Sequence, residues 1–213
     1  TSIWIGLLNS IQEISKERNI YTREHAVNLN LINYVLSKVF VLAIFCIIQS
    51  FLLIQILSWF IDFPSTNLTG TIKLDIIATA FFTSLASVCM GLTISTLVKN
   101  SDQTLVIAPV LLIVQIIFSG VLFTLGPTAE KIASFTISKW SVRGLGISFN
   151  LNSLISKIQV MYPNITLPLR NETIYKYDVG LLIQNWMLLI IISLVCLIVC
   201  CLFLVIKDYS KKD

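Results

Sequence analysis

Four long apolar runs set the pattern of this chain: Val39 to Ile61, Ile76 to Val98, Thr104 to Leu125 and Leu181 to Ile206. Each exceeds the roughly 20 residues that carry a helix across a bilayer. The first reaches about 35 Å at the rise of an α-helix, enough to cross with some tilt. Leu29, Tyr34 and Leu36 lead into it amphipathically ahead of Lys38, whose long stem can return its ammonium to the interface. Trp59 suits an aromatic belt, and Asp62, Pro64, Ser65 and Asn67 end the span in a polar loop. A shorter apolar stretch, Ile3 to Ile11, has about half the length of a span. The chain begins at Thr1 and shows no signal-peptide pattern, so Thr1 to Gln12 is expected to be the cytoplasmic end of a helix truncated at its front.

Within the second run, Ala80, Ser84, Ser87, Gly91 and Ser95 recur mostly every four residues, a stripe of small side chains that lets another helix approach closely and that offers a contact between copies. Lys99 to Gln103 is long enough only to turn the chain, so the third run returns beside the second. Pro109 lies about one turn inside it and permits a kink, and Gly126 with Pro127 is expected to stop it. Residues 126–180 form an extracytoplasmic amphipathic segment: Ile132 with Phe135 marks a short apolar face before Trp140, and Leu151, Leu154, Ile155 and Ile158 follow a helical spacing. Two helices lying at or dipping into the outer leaflet are expected, the alternative being a small cap packed on itself. Gln49, Gln55, Gln115, Gln184 and Asn185 are costly in lipid, so each is expected to face protein or a wet cavity, most of them as interhelical glue. No titratable side chain lies mid-span, which speaks against a proton relay.

Composition agrees with the pattern: 56% hydrophobic residues, 12% charged residues and a mean hydropathy of +0.87 describe an integral membrane protein and exclude a soluble enzyme. The net charge of +4 is small and forms no basic stripe, which argues against nucleic acid as a partner. Cys46, Cys89, Cys196, Cys200 and Cys201 all fall in apolar runs, where they act as small hydrophobes, and no disulfide is expected. His25 is the only histidine, so an HExxH zinc site is excluded and a histidine-based triad has no obvious partner. No GxxxxGK[ST] occurs, so the chain does not itself cradle ATP as a P-loop does. Lys16, Arg18, Arg23, Lys38, Lys99, Lys207, Lys211 and Lys212 crowd short segments on one side of the spans, which puts Glu13 to His25 and the C-terminus in the cytoplasm. Lys73, Lys131, Lys139, Arg143, Lys157, Arg170 and Lys176 then lie outside, with the glycosylation-type triplets at Asn67, Asn164 and Asn171.

One polar island interrupts the apolar chain, Glu13 to His25, with Glu13, Lys16, Glu17, Arg18, Arg23 and Glu24 close together. Alone, such a cluster reads as a solvated loop. The pattern ER-x-IY-x-RE at Glu17 to Glu24, LSKV at Leu36 to Val39 opening a span, and SGVLF at Ser119 to Phe123 ending a later one, followed by GP and a Trp-containing amphipathic stretch, resembles the ABC-2 type membrane domain. The resemblance is closest to G-subfamily-like exporters, in which the ATPase precedes the membrane domain in one polypeptide, and it covers nearly the whole chain. It implies an all-α integral membrane bundle of four full spans plus the end of a fifth, with outer amphipathic or re-entrant helices before the last span.

The same resemblance implies the permease part of an ATP-driven exporter in the plasma membrane, which moves a hydrophobic or amphipathic substrate by alternating access. Glu17, Arg18, Ile20, Tyr21, Arg23 and Glu24 would form the coupling element on a nucleotide-binding domain. Charges of both signs would set register there and an apolar knob would pack. Val121 and Leu122 would form a hydrophobic valve facing a second copy, with Ile113 and Ile116 lining the path below it. The resemblance implies no catalysis and no cofactor in this chain, ATP and Mg residing on the ATPase domain. Its partners would be that domain, a second copy and the bilayer. The reading from another class is a non-ABC channel or assembly protein with no ATPase partner.

Overall fold

The computed structural model describes residues 1–17, 30–61, 63, 71–98, 101–121, 126–161 and 175–209. Among these the chain is helical with no strand: α1 (Ser2–Ser10), α2 (Glu13–Lys16), α3 (Leu31–Phe60), α4 (Ile72–Leu97), α5 (Ser101–Ile117), α6 (Pro127–Ala133), α7 (Ile137–Ser148), α8 (Leu151–Met161) and α9 (Val179–Tyr209). This is the expected all-α membrane bundle, with three of the described helices, α3, α4 and Val179–Ile206 of α9, long and apolar enough to cross.

The helices begin where local chemistry lets them. Asn30 Oδ1 accepts from the Ile32 N–H at 3.1 Å, so α3 starts well before Val39 and takes the amphipathic lead-in into the helix. Asp178 Oδ1 accepts from the Gly180 N–H at 2.9 Å at the start of α9. Asp75, buried in the first turn of α4, puts a carboxylate at the positive end of that helix.

α4 is the centre of the bundle. Of its most apolar stretch 67% is buried inside the molecule, against 22% for α3 and for α9. The stripe of small residues is indeed covered, but by α1 of the same chain, so it is not available as a contact between copies. A Cβ on Gly6 would stand 2.7 Å from the Ser84 carbonyl oxygen, and one on Gly91 would fall on Ser10 Oγ. Only glycine allows this approach, and the two helices run parallel from the middle of α4 to its end.

Hydroxyls make α4 a polar helix in an apolar bundle. Thr79, Thr83 and Ser87 each donate to the carbonyl four residues back at 2.7–2.8 Å, so each is satisfied within its own helix. The same oxygens meet other helices: Thr79 Oγ1 accepts from the Trp186 indole N–H at 3.0 Å, and Thr83 Oγ1 lies 2.9 Å from Ser141 Oγ. Thr93 Oγ1 also reaches the Cys196 carbonyl, at 2.9 Å. Around α4, Val35, Leu42 and Cys46 of α3 pack with Val88, Leu92, Cys200 and Leu204, while Leu7 and Ile11 meet Ala108 and Leu112 of α5. The cysteines are free thiols in this packing.

Two expectations are corrected. The third run does not continue as helix to Leu125: α5 has 17 residues, about 26 Å, short of the roughly 30 Å hydrocarbon core. Its end is local, because the Ser119 N–H turns to the Ile116 carbonyl at 3.2 Å and Gly120 takes a φ of 75°, which glycine adopts freely. Gly126 and Pro127 open a helix instead of closing one, as the N-cap and first residue of α6. Of the five amide side chains, Gln115 and Asn185 are buried within this chain, and Gln55 and Gln184 lie on faces of α3 and α9 that this chain by itself leaves open, which leaves their expected partners untested. The segment from Gly126 onward holds three described helices, of which α7 enters the bundle: Ile137 packs on Ala86 and Leu189, and a Cβ on Gly144 would stand 2.9 Å from Thr79. Ile132 and Phe135 are exposed, Ile155 is buried and Ile158 exposed.

Candidate functional site

The start of the polar island is tied to two spans at once. α2 is a single turn, and its Gln12 N-cap supplies no side-chain cap. Two of the N–H groups left over at such a helix start are those of Ile14 and Ser15, and Ser95 Oγ, at the end of α4, accepts both at 3.1 and 2.9 Å. Ser95 is buried, and Ile14 is buried in the cluster with Val35, Leu92 and Leu204, so a hydroxyl cap and an apolar anchor hold the same turn.

Across from α4, Lys38 of α3 places its ammonium 3.2 Å from Glu13 Oε2 and 2.5 Å from Glu17 Oε1. The Tyr34 hydroxyl donates to Glu17 Oε2 at 3.2 Å. Tyr34 and Lys38 are one helical turn apart, so one face of α3 serves both carboxylates. The groups are partly exposed, which keeps each pair to about 1 kcal/mol or less, and the value of the arrangement is in position. Lys38 therefore does not simply reach to the interface: it fastens α2 to α3. Of the coupling residues inferred from sequence, Glu17 sits in this cluster, while Arg18, Ile20, Tyr21, Arg23 and Glu24 lie outside the described residues, as do His25 and the three asparagine triplets.

Ser95, Lys38 and Ile14 join this site only through tertiary contacts that the hydropathy pattern does not mark. In the sequence Ser95 is one of several small residues, and only its place at the last turn of α4 distinguishes it. The sequence carries a stronger signal for Lys38, since a lone cation opening an apolar run after a cluster holding three glutamates has evident partners.

The second candidate region is the end of α5. Ile113 and Ile116 are exposed on this chain and so is Val121, which stands in the turn after the helix; Leu122 lies outside the described residues. Behind them, the Gln115 side chain is buried and its Oε1 accepts from the Ser138 N–H at 3.0 Å. The Ser138 hydroxyl returns a bond to the Gln115 carbonyl at 2.5 Å. Among the described residues no group of three or more His, Cys, Asp or Glu is arranged to hold a metal ion.

Residues 1–149 match the family model described as ABC-2 type transporter. Over 121 residues, 56% of this chain, the sequence is 27% identical to the ABC transporter ATP-binding/permease protein Rv1747 of Mycobacterium tuberculosis. The chain covers only 14% of that protein's length. No solved structure matches. With 149 of its residues matched by the family model and an all-α bundle of membrane-crossing helices around α4, the chain belongs to the ABC-2 type transporter family, as a multi-pass membrane permease domain.

Proposed function

We propose that this chain is the permease half of an ATP-driven exporter, working as two copies in the plasma membrane and moving a hydrophobic or amphipathic substrate by alternating access. The ATPase would precede it in one polypeptide, as in G-subfamily half-transporters. A relative whose name joins ATP-binding and permease functions supports an attached ATPase domain. ATP and Mg belong to that domain, and Glu13 to His25, with the C-terminus, faces it from the cytoplasmic side.

The observation that carries the coupling reading is the double tether of α2. Ser95 holds the start of the charged segment to α4, and Lys38 holds Glu13 and Glu17 to α3. A push on the residues that follow, Arg18 to Glu24, is thereby delivered to two membrane helices at once. Coupling free energies of this kind lie at about 1–3 kcal/mol. Ile113, Ile116, Val121 and Leu122 form the path and valve against the second copy, a role that the outward exposure of the first three permits.

In proteoliposomes, Glu17→Ala and Arg18→Ala are expected to leave expression and ATP hydrolysis in place while substrate moved per ATP falls about tenfold. An unchanged ratio in both variants removes the coupling role.

A further inference from the structure

Near the middle of the bundle, α5 stops and α7 starts at the same place, and the two ends cap one another. An α-helix leaves its last carbonyls and first N–H groups without internal partners, and in a membrane those groups have no water to turn to. At the end of α5 the Ser119 N–H bends to the Ile116 carbonyl, which leaves the Gln115 carbonyl without its regular partner. The Ser138 hydroxyl fills that vacancy at 2.5 Å. At the start of α7, the Thr136 N-cap offers no side-chain cap, and the Ser138 N–H is taken instead by Gln115 Oε1 at 3.0 Å. The amide is held from its other side by a contact of Nε2 with Met90 Sδ at 3.7 Å. Gln115 is 7% exposed and Ser138 4% exposed, so water does not compete.

We infer that Gln115 and Ser138 are positioning residues that join the end of α5 to the start of α7 as one moving body. The neighbourhood supports this. α5 is otherwise held along one narrow stripe, where Ala108 and Leu112 meet Leu7 and Ile11, and most of its surface is exposed. α7 by contrast is seated on both α4 and α9: Ile137 packs on Ala86 and Leu189, Ser141 bonds Thr83, and Trp140 donates to the Ser134 carbonyl at 2.8 Å to close the preceding turn. Ala86 lies midway along α4, about 20 Å from its start, so this seat is deep in the bundle. A thin helix is thereby registered by a well-seated one through a two-way hydrogen bond whose rupture would leave two backbone groups unpaired in an apolar interior. Since Ile116 and Val121 flank this point, the latch sets where the proposed valve stands, although the latch itself does not depend on the valve reading.

The test places spin labels at the exposed positions Val114→Cys and Phe135→Cys in the full transporter reconstituted with its ATPase domain, and reads their separation with and without nucleotide trapped by vanadate. The expected result is one narrow separation that keeps its value in both states, and a broadened or split distribution in Gln115→Leu. Ser138→Ala, which removes only the hydroxyl, is expected to broaden it as well and serves if the leucine variant fails to fold. A residue that merely stabilised the fold would lower the melting temperature of these variants and leave the separation single. A separation that changes with nucleotide in the native sequence, or that stays narrow in both variants, overturns the inference. The distance is read without transport, so its failure is distinguishable from a failure of the coupling reading, which is read as substrate moved per ATP.

Discussion

Ser95 shows how much of this protein is decided by single small side chains. Its hydroxyl takes two N–H groups of α2, and removing it leaves both without a partner at a buried site. An unpaired buried donor costs about 1–3 kcal/mol, so Ser95→Ala is expected to lower the melting temperature in detergent by several degrees and to reduce substrate moved per ATP. Ser95→Thr keeps the oxygen and should retain both properties; an alanine variant with unaltered melting and coupling would sink the capping role. At this scale the sequence was only partly readable. Small residues every four positions announced a close helix contact, and it is made where Gly6 faces Ser84 and Gly91 faces Ser10. Which helix made the contact depended on α1 running parallel to α4, a relation between segments some eighty residues apart that periodicity does not encode.

At the scale of elements, α3, α4 and α9 were legible because more than twenty residues of high mean hydropathy with hardly a charge have few other fates in a protein. α5 was legible in type and not in length. Its apolar run continues to Leu125, and the helix stops at Ile117 because Gly120 accepts a left-handed backbone and Ser138 satisfies the buried Gln115 carbonyl. The prediction at this scale concerns that stop. Gly120→Ala forces a side chain into a φ of 75°, a strain of about 1 kcal/mol, and should lower the melting temperature by a few degrees, whereas Val121→Ala, in the exposed turn, should not. Equal melting of the two variants would show that the turn tolerates other conformations. α7 was the least legible element. Gly144, Gly146 and Ser138 dilute its apolar signal, yet they are the small residues that let it sit against Thr79, Tyr175 and Gln115.

For the whole molecule, the cover that α1 lays over α4 directs any second copy elsewhere. The stripe at Ser84, Ser87 and Gly91 is filled within the chain, while α5 presents Val106, Val110, Ile113 and Ile116 outward. If two copies work together as proposed, an Ile113→Cys variant should form a crosslinked dimer under mild oxidation and a Ser87→Cys variant should remain monomeric on denaturing gels. A dimer through position 87 and none through 113 would place the second copy against the wrong face. By itself the sequence determined the class, the long spans and the existence of a charged segment between apolar ones, because hydrophobic length and charge spacing act on each segment alone. Tertiary structure decided which surfaces were already taken, where α5 ended and which side chains held α2. Those outcomes depend on hydrogen-bond partners and close backbone approaches supplied by distant segments, and an apolar interior makes each such partner obligatory.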